Sequence, residues 1–524
     1  MNPDRTFEAR LADLLTQRPA SLRGGLKGLE KESLRVDADG SIARTPHPAA
    51  LGSALTHPNI TTDYSEALIE LVTWPFADTR DTLHSLCDLH SFVYRNLPEG
   101  EMLWAGSMPC ALGPDDGIPI ANYGHSNIGM MKHIYRRGLG YRYGRSMQTI
   151  SGVHFNYSFP EPLWPVLQVV AGDSGPLRHF IDEAYLGMLR NFQRVSWLLL
   201  YLFGASPALC KSFLHGHDLG FSEFDSNTRY EPCATSLRMS DIGYKNSNQA
   251  ALGISYNSLE EYLASLNRAV TTPFPEYEAI GVKVDGEYRQ LNASMLQIEN
   301  EFYGFARPKQ PIYRSERPSA ALRRRGVKYV EVRALDVNVF EPLGTSVHAL
   351  HFVEALLTGC LLSDSPPVDD SAQAAINRNQ TDVARHGRDP DCKLIRDDRQ
   401  VSLKTWGSEI IDALEPICTA LDGDDPARPY RAALGMQREA ITDPERTPSA
   451  RILADMRAHH ESFFEFAARL SRRHRDFFLG RELPVDVETK MVQLAQESLS
   501  EQAAIEAADT LSLDEYLRNY FAQS

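Results

Sequence analysis

One pattern constrains this chain more than any other: acidic residues occupy alternate positions in stretches that otherwise favour β-structure. The stretch GLEKESLRV (28–36) places Glu30 and Glu32 two residues apart. In an extended strand, residues two apart point to the same side, so both carboxylates share one face with Leu34. Like charges on one face repel each other, so the pattern requires a cause that keeps them together.

A related arrangement, with acids, a histidine or an arginine at alternate positions, recurs in three further stretches: EALIELVTW (66–74), TISGVHFNYSF (149–159) and VKYVEVRALDV (327–337). Each has the β-branched and aromatic content of a strand. If the four strands join one antiparallel sheet, their polar positions can line a common concave surface. The polar members of the three further strands are Glu66 and Glu70, His154 and Asn156, and Glu331 and Arg333.

A solvated sheet face is the ordinary explanation for alternating polar residues. An exposed Glu–Arg pair contributes little stability, and a lone histidine is more often structural than a ligand. Against this, four strands pool mostly acids with His154, whereas lysine, a common residue on exposed edge strands, is scarce at these positions. Gathered carboxylates with one imidazole suit Mg²⁺ or Mn²⁺. The pattern therefore predicts a divalent-metal site.

Phosphoryl transfer is the leading chemistry for a site that combines hard cations with arginines. Arg333 shares a strand face with Glu331, and Arg238 in TSLRMSD is a second candidate. The chain contains no G-x-x-x-x-G-K-[ST] and no H-E-x-x-H, which disfavours a P-loop and a common zinc-protease design. The residues alone thus predict a metal-dependent enzyme that handles phosphate.

Charge, hydropathy and cysteine content indicate which partners and which cellular compartment to expect. The 524 residues carry a net charge of −15, which disfavours nucleic acid or an anionic membrane as the main partner. The longest apolar run, VSWLLLYLFGA (195–205), is too short to cross a bilayer, and the N-terminus lacks the apolar core of a signal peptide. Seven scattered cysteines without Cys-x-x-Cys predict reduced thiols. We therefore expect a cytoplasmic protein that binds small molecules, with no membrane and no obligatory protein partner.

The remaining pattern predicts an α+β protein. Residues 78–97 and the stretch from about Pro176 to Phe203 are expected to be helical. The stretch GVKVDGEYRQL (281–291) predicts a hairpin with Asp285-Gly286 at its tip. Beyond about residue 345 the pattern is mainly helical. We expect this C-terminal third to pack on the sheet.

Several stretches, taken in order along the chain, resemble the proteobacterial glutamate–cysteine ligases, also called γ-glutamylcysteine synthetases, of the type 1 family. The resemblance runs from about residue 21 to 340 and resumes near 450–456 and 506–517. The stretches that carry it are GLEKESLRV, HPAALGSALTHPNITTDYSEALIELVT, YRYGRSMQTISGVHFNYSF, YLFGASPA, TSLRMSDIGY, LQIENEFY and YVEVRALDVN.

The resemblance implies a glutamine-synthetase-like fold, in which helices wrap a curved, mainly antiparallel sheet with the active site on its concave face. It implies one catalytic unit over residues 1–524, with 345–524 as its mainly helical C-terminal part. It also implies a reaction: ATP phosphorylates the γ-carboxylate of L-glutamate, and the amine of L-cysteine then displaces phosphate to give γ-glutamylcysteine. This is the first step of glutathione biosynthesis, with Mg²⁺, or Mn²⁺, as the expected cofactor and ATP as a substrate.

The resemblance also assigns roles to individual residues. Arg333 and Arg238 are expected near the transferred phosphoryl group, where they would stabilise the transition state. Tyr64 stands where the family leads us to expect phenylalanine, and its hydroxyl could alter the preference among small amino acids. The expected metal ligands are Glu30, Glu32, Glu70, His154 and Glu331, with Asp63 as a further candidate. The expected cysteine-pocket residues are Tyr135, Gln148, Asn156, Tyr244 and Tyr303.

Two alternatives stay open from the sequence. One is a related ATP-dependent carboxylate–amine ligase that joins glutamate to a different amine. The other is a binding or regulatory protein that kept the sheet but lost turnover. The second predicts a missing carboxylate or arginine in the motifs, and the acidic, histidine and arginine positions named above are all filled.

Overall fold

The computed structural model describes residues 5–216, 220–244, 252–313 and 315–523. Its central element is a seven-stranded antiparallel sheet in the order β11-β12-β5-β1-β3-β2, with β4 paired to the end of β1. The strands are β1 Leu26–Val36, β2 Ile60–Thr62, β3 Leu68–Val72, β4 Met102–Leu103, β5 Gly152–Ser158, β6 Ala208–Cys210, β7 Ser222–Glu223, β8 Thr228–Tyr230, β9 Lys283–Val284, β10 Glu287–Tyr288, β11 Ala306–Lys309, β12 Tyr329–Asp336, β13 Lys393–Arg396 and β14 Arg399–Ser402.

Helices surround this sheet, and those of residues 347–521 form most of the C-terminal third. They are α1 Arg5–Gln17, α2 Thr79–Asn96, α3 Asn127–Tyr143, α4 Leu163–Val170, α5 Leu177–Val195, α6 Trp197–Phe203, α7 Leu259–Thr271, α8 Pro275–Ile280, α9 Pro318–Arg325, α10 Val347–Leu362, α11 Asp370–His386, α12 Leu403–Asp422, α13 Pro429–Thr442, α14 Pro448–His459, α15 Phe463–Gly480, α16 Val485–Ala508 and α17 Leu513–Phe521.

The four strands predicted from their alternation are all present and are neighbours in the sheet. In the register, β1 places Glu32 opposite Glu70 of β3 and Glu30 opposite His154 of β5. Asn156 of β5 lies opposite Glu331 of β12. Because residues two apart share a face, these pairings gather polar residues of four strands on one side of the sheet: Glu30, Glu32, Glu70, His154, Asn156 and Glu331. Glu66 precedes β3, and its carboxylate accepts from the backbone N–H groups of His47 and Asn122.

Strand β12 carries a bulge beside the acidic face. Val332 pairs with Phe155, but the next pair joins Leu335 to Val153, so two residues of β12 oppose the single residue His154. Such a bulge bends the strand and ends its simple alternation. Arg333 lies at this point, and its backbone N–H continues the ladder by donating to the carbonyl of Phe305.

The opposite face of the sheet is mainly apolar but contains buried ion pairs, among them Lys27–Glu354 and Arg35–Glu101. Lys27 of β1 lies 3.1 Å from Glu354 of α10, and the side chains of both are almost fully buried. The hydroxyls of Tyr157 and Tyr430 donate to the two carboxylate oxygens of Glu354. Because every charged group here has partners, the network can sit in the core, and it fixes α10 against the sheet.

Most expectations for secondary structure are confirmed. The helix predicted at 78–97 is α2, and the hairpin predicted at 281–291 is β9–β10 with Asp285 at a positive φ of 52°. The helical stretch predicted to end at Phe203 is divided into α5 and α6 at Ser196. The hairpin β13–β14 was not predicted; its turn residues, Asp397 and Asp398, both have positive φ.

The prediction that all seven cysteines are reduced thiols is wrong for two of them. Cys110 and Cys210, 100 residues apart in sequence, form a disulfide with a Cα–Cα distance of 5.3 Å. The bond joins the segment after β4 to the end of β6, and spacing in the sequence gives no sign of this proximity. Cys87, Cys233, Cys360, Cys392 and Cys418 are free thiols.

Removing this disulfide is expected to lower the free energy of unfolding. A cross-link that closes a loop of this length stabilises the fold by about 3–5 kcal/mol, mainly by restricting the unfolded chain. The double variant Cys110→Ser/Cys210→Ser should therefore unfold at a lower denaturant concentration than the oxidised wild type, and reductant should shift only the wild type. Identical midpoints, or seven titratable thiols in the denatured, unreduced protein, would contradict the expectation.

Candidate active site

His154 stands at the centre of the acidic face, between two groups of carboxylates. Its Nδ1 lies 3.1 Å from Oε2 of Glu30 and 3.6 Å from Oε1 of Glu331. Its Nε2 lies 3.6 Å from Oε1 of Glu32. Two triads result, Glu30–His154–Glu331 and Glu32–Glu70–His154, each with one donor atom per residue within 4.8 Å of the others. The structure thus brings all five principal predicted metal ligands together.

Asn156 and Asp63 join this cluster in different ways. The amide of Asn156 donates to Oε1 of Glu30 at 2.8 Å, so the side chain lies at the acidic cluster and not among the tyrosines with which it was grouped. Its Oδ1 is buried and has no hydrogen-bond partner among the described residues. Asp63 follows β2 and lies close enough to Glu32 and Glu70 to raise the pKa of both carboxyls.

The carboxylates of the cluster differ in how well their charge is stabilised. Burial raises the pKa of Glu70 well above its ordinary value, and the charges of Glu30 and Asp63 act in the same direction. Burial likewise leaves the pKa of Glu32 raised. Burial opposes the charge of Glu331 as well, but nearby cations hold its pKa well below the ordinary value. Within the described residues, Glu70 therefore lacks ion pairs of the kind that Glu331 forms with Lys309 and Arg333.

Three cations lie on the β11–β12 side of the cluster. Nη1 of Arg333 donates to Oε1 of Glu331 at 2.7 Å, and Nζ of Lys309 lies 3.2 Å from Oε2. Burial opposes the charge of Arg333, but the neighbouring carboxylates, Glu331 above all, raise its pKa beyond the ordinary value. Arg307 of β11 adds to the positive potential at Glu331. This edge can bind anionic oxygens beside the carboxylates.

The other predicted arginine, Arg238, is buried behind the end of the sheet. Its Nη1 lies 3.7 Å from Asp336, and its Nη2 donates to the carbonyl of Arg333 at 3.1 Å. A Cβ at residue 152 would lie 2.0 Å from Nη2, so only Gly152 leaves room for the guanidinium. Arg238 is near enough to Glu32 to lower the pKa of that carboxyl. Arg238 therefore holds the backbone of Arg333 through a hydrogen bond and stabilises the negative charge of Glu32.

The predicted pocket tyrosines meet at a second group beside the cluster. The hydroxyl of Tyr303 donates to Gln148 at 3.0 Å, and the rings of Tyr303 and Tyr244 lie 5.0 Å apart. The ring of Tyr244 also stacks on the guanidinium of Arg238, 5.1 Å away. The charge of Tyr135 would raise the pKa of Tyr303, which places the two hydroxyls near each other. This aromatic group is continuous with the charged cluster through Arg238.

Tyr64 is not part of either group. Its side chain is only 1% exposed, and its hydroxyl lies where a Cβ at Gly140 of α3 would be 2.6 Å away. Burial raises the pKa of Tyr64, and the charged groups near it are Arg145, Asp115 and Arg136. The hydroxyl thus faces α3 and the segment around Asp115.

Four basic residues near the site were missed by the sequence analysis. Arg307 and Lys309 occupy alternate positions of β11, so a period of two in ARPK could have revealed them. Lys132 and Arg136 are four residues apart on α3, on one helical face with Tyr135. Helix α3 shows weak amphipathic character because its polar residues face the site as well as solvent, so this signal was harder to read.

A third group of potential ligands lies elsewhere, at Asp455, His459 and Glu461. Arg469 already pairs with both of its carboxylates, and His459 is exposed. It therefore lacks the uncompensated, buried carboxylates that mark the cluster on the sheet.

The fold and its site define a class: a curved antiparallel sheet with carboxylates on its concave face, wrapped by helices, is the glutamine-synthetase-like architecture of ATP-dependent ligases. The model of the glutamate–cysteine ligase family matches residues 11–383, more than half of the chain. The chain belongs to the glutamate–cysteine ligase family.

Relatives of known name match nearly the full length. The chain is 48% identical to the glutamate–cysteine ligase of Alcanivorax borkumensis over 98% of this chain and 99% of the relative. It is 47% identical to that of Pseudomonas paraeruginosa, with 98% of both chains covered. The solved glutamate–cysteine ligase of Francisella tularensis in complex with AMP superposes with a TM-score of 0.90 and 37% identity, covering 95% of this chain and 98% of that chain.

Within the described ranges, the helices include none whose length and apolar character would allow it to span a membrane.

Proposed function

We propose that the two triads around His154 hold the divalent ions with which this enzyme joins the γ-carboxylate of L-glutamate to the amine of L-cysteine. The reaction consumes ATP, gives γ-glutamylcysteine, ADP and phosphate, and is the first step of glutathione biosynthesis. In the proposal the whole chain acts as one catalytic unit, because a shared hydrophobic core runs from Phe7 in α1 to Met491 in α16.

The observation that carries the metal assignment is the charge balance at Glu70. The charges of Glu30, Asp63 and Glu32 all raise the pKa of this carboxyl, and it forms no ion pair with a cation in the part of the chain that is described. Asn156 adds a buried oxygen to which no group in the described ranges donates a hydrogen bond. Oxygen donors of this kind with one imidazole fit Mg²⁺, and Mn²⁺ as a substitute. When bound, such ions neutralise the triphosphate and reduce its repulsion of the γ-carboxylate.

The protein's own cations support the phosphoryl-transfer step. A carboxylate is a poor acyl donor, so ATP first converts the γ-carboxylate to a γ-glutamyl phosphate. Arg333 is held by Glu331 at the edge of the cluster, with a side chain 19% exposed, and can donate to the transferred phosphoryl oxygens. Lys309 lies beside it. Arg238 contributes by fixing Arg333 through the latter's carbonyl.

The aromatic group suits the second substrate. The amine of cysteine attacks the acyl phosphate, and phosphate leaves. Tyr135, Tyr244, Tyr303 and Gln148 form a compact wall beside the carboxylates, with hydroxyl and amide groups that can enclose a small amino acid. We place Tyr64 outside this wall, because its hydroxyl faces Gly140. ATP is assigned as the nucleotide because the Francisella relative was solved with AMP.

Release of ADP is expected only when glutamate and cysteine are both present with ATP and Mg²⁺. The test supplies glutamate with one amino acid at a time, measures ADP, and identifies the product by mass. A product with the mass of γ-glutamylcysteine supports the proposal. Faster turnover with another amine would favour the alternative ligase, and ADP release without any amine would contradict the coupling of the two steps.

A further inference from the structure

Helix α3 places two cations against the acidic end of the candidate site. Nζ of Lys132 lies 5.2 Å from the centre of the Tyr123 ring, and the guanidinium carbon of Arg136 lies 4.6 Å from the same centre. Nε of Arg136 donates to the carbonyl of Asp63. Glu70 is close enough to raise the pKa of Lys132. Both cations therefore lie on the Glu70–Asp63 side of the cluster, where neither forms an ion pair with a carboxylate within the described residues.

Much of their hydrogen-bonding capacity is unused. Nζ of Lys132 has no hydrogen-bond or ion-pair acceptor among residues 5–216, 220–244, 252–313 and 315–523. Arg136 donates hydrogen bonds from Nε to the carbonyl of Asp63 and from Nη1 to the carbonyl of Lys132. Its Nη2 has no acceptor over those same ranges. An ammonium offers three donors and a guanidinium five. The pair thus presents several N–H groups to the site.

Keeping these two cations together costs free energy. Burial lowers the pKa of Lys132 to about 8, and the charge of Arg136 acts in the same direction. Contact with the ring of Tyr123 offsets a part of this cost but leaves the ammonium protons without acceptors. A carboxylate, with two oxygens in one plane, would satisfy donors from both side chains at once.

The position on α3 indicates which molecule supplies that carboxylate. Lys132, Tyr135 and Arg136 lie on one face of the helix, and Tyr135 belongs to the aromatic wall. Both amino acids of the reaction carry an α-carboxylate that takes no part in bond formation. We propose that Lys132 and Arg136 bind the α-carboxylate of an amino-acid substrate and so orient it towards the metal cluster. This inference rests on the proposed function.

The test compares each amino acid with an analogue that lacks the α-carboxylate: cysteamine for cysteine, and glutamate α-amide for glutamate. For Lys132→Met, we expect kcat/KM for the amino acid that is bound here to fall about 10- to 100-fold, the usual loss for a hydrogen bond to a charged group. The value for its analogue should change little. The substrate that shows this difference identifies the carboxylate.

Two further variants complete the experiment. Lys132→Arg keeps the charge and should retain most of the activity, whereas Lys393→Met makes the same change on the exposed hairpin β13–β14 and should leave all parameters unchanged. An equal loss for substrate and analogue, or no loss for either amino acid, would overturn the proposal. A wild-type protein that releases no ADP with glutamate and cysteine would instead refute the proposed function on which it rests.

Discussion

Replacing Glu70 with glutamine is expected to remove nearly all Mg²⁺-dependent ligation without weakening the fold. Glutamine keeps the shape but loses the anionic oxygen, and a lost ligand at a catalytic ion should lower kcat/KM by about 10³-fold. Without metal the carboxylate is buried among other acids, which raise its pKa well above the ordinary value. Neutral glutamine removes that repulsion, so the unfolding midpoint in EDTA should stay equal or rise.

Glu331→Gln is the matched comparison, because it too should abolish activity but with the opposite effect on stability. Glu331 pairs with Arg333 and Lys309, and its loss leaves both cations without this carboxylate. We expect the free energy of unfolding to fall by about 3 kcal/mol. ADP release across Mg²⁺ concentrations and denaturant unfolding in EDTA measure both effects. If both variants lost stability alike, the charge imbalance assigned to Glu70 would be wrong.

Replacing Arg333 with lysine is expected to lower kcat about 10²-fold or more, with a much smaller change in KM. The guanidinium bonds Glu331 through Nη1 at 2.7 Å and keeps other N–H groups for the phosphoryl oxygens. A lysine ammonium cannot present this planar fork, so one of the two contacts is lost in the transition state.

The control for this substitution is Arg268→Lys, which makes the same chemical change on the exposed face of α7. Steady-state kinetics with each substrate varied in turn separate kcat from KM. A near-normal kcat in Arg333→Lys would remove the arginine from the phosphoryl-transfer step. A rise in KM alone would restrict it to binding.

The sheet could be predicted because its information is local. Alternation in β1, β3, β5 and β12 identifies each strand and its polar face, and antiparallel neighbours then bring those faces together. The five principal metal-ligand positions followed from this reasoning together with the family resemblance. Their grouping in space around His154 is what the structure adds.

Other features depend on contacts that no local pattern encodes. The disulfide between Cys110 and Cys210 spans 100 residues, and the direction of the Tyr64 hydroxyl is decided by packing against Gly140 of α3. Asn156 was grouped with the tyrosines, yet its register position opposite Glu331 places it beside the acidic cluster. The bulge in β12 likewise arises from its pairing with β5, more than 170 residues earlier in the chain, and not from either sequence alone.

The central position of His154 makes the two proposed ion sites chemically unequal. A neutral imidazole has a single lone pair, so it can coordinate on one side only, and its other nitrogen carries a proton that it donates to a carboxylate. The tautomer therefore decides which triad gains a nitrogen ligand. An ion held by the remaining triad would have only carboxylates of the protein as ligands there and would draw further oxygens from solvent or from the nucleotide, so its occupancy should depend on ATP more strongly than that of its neighbour.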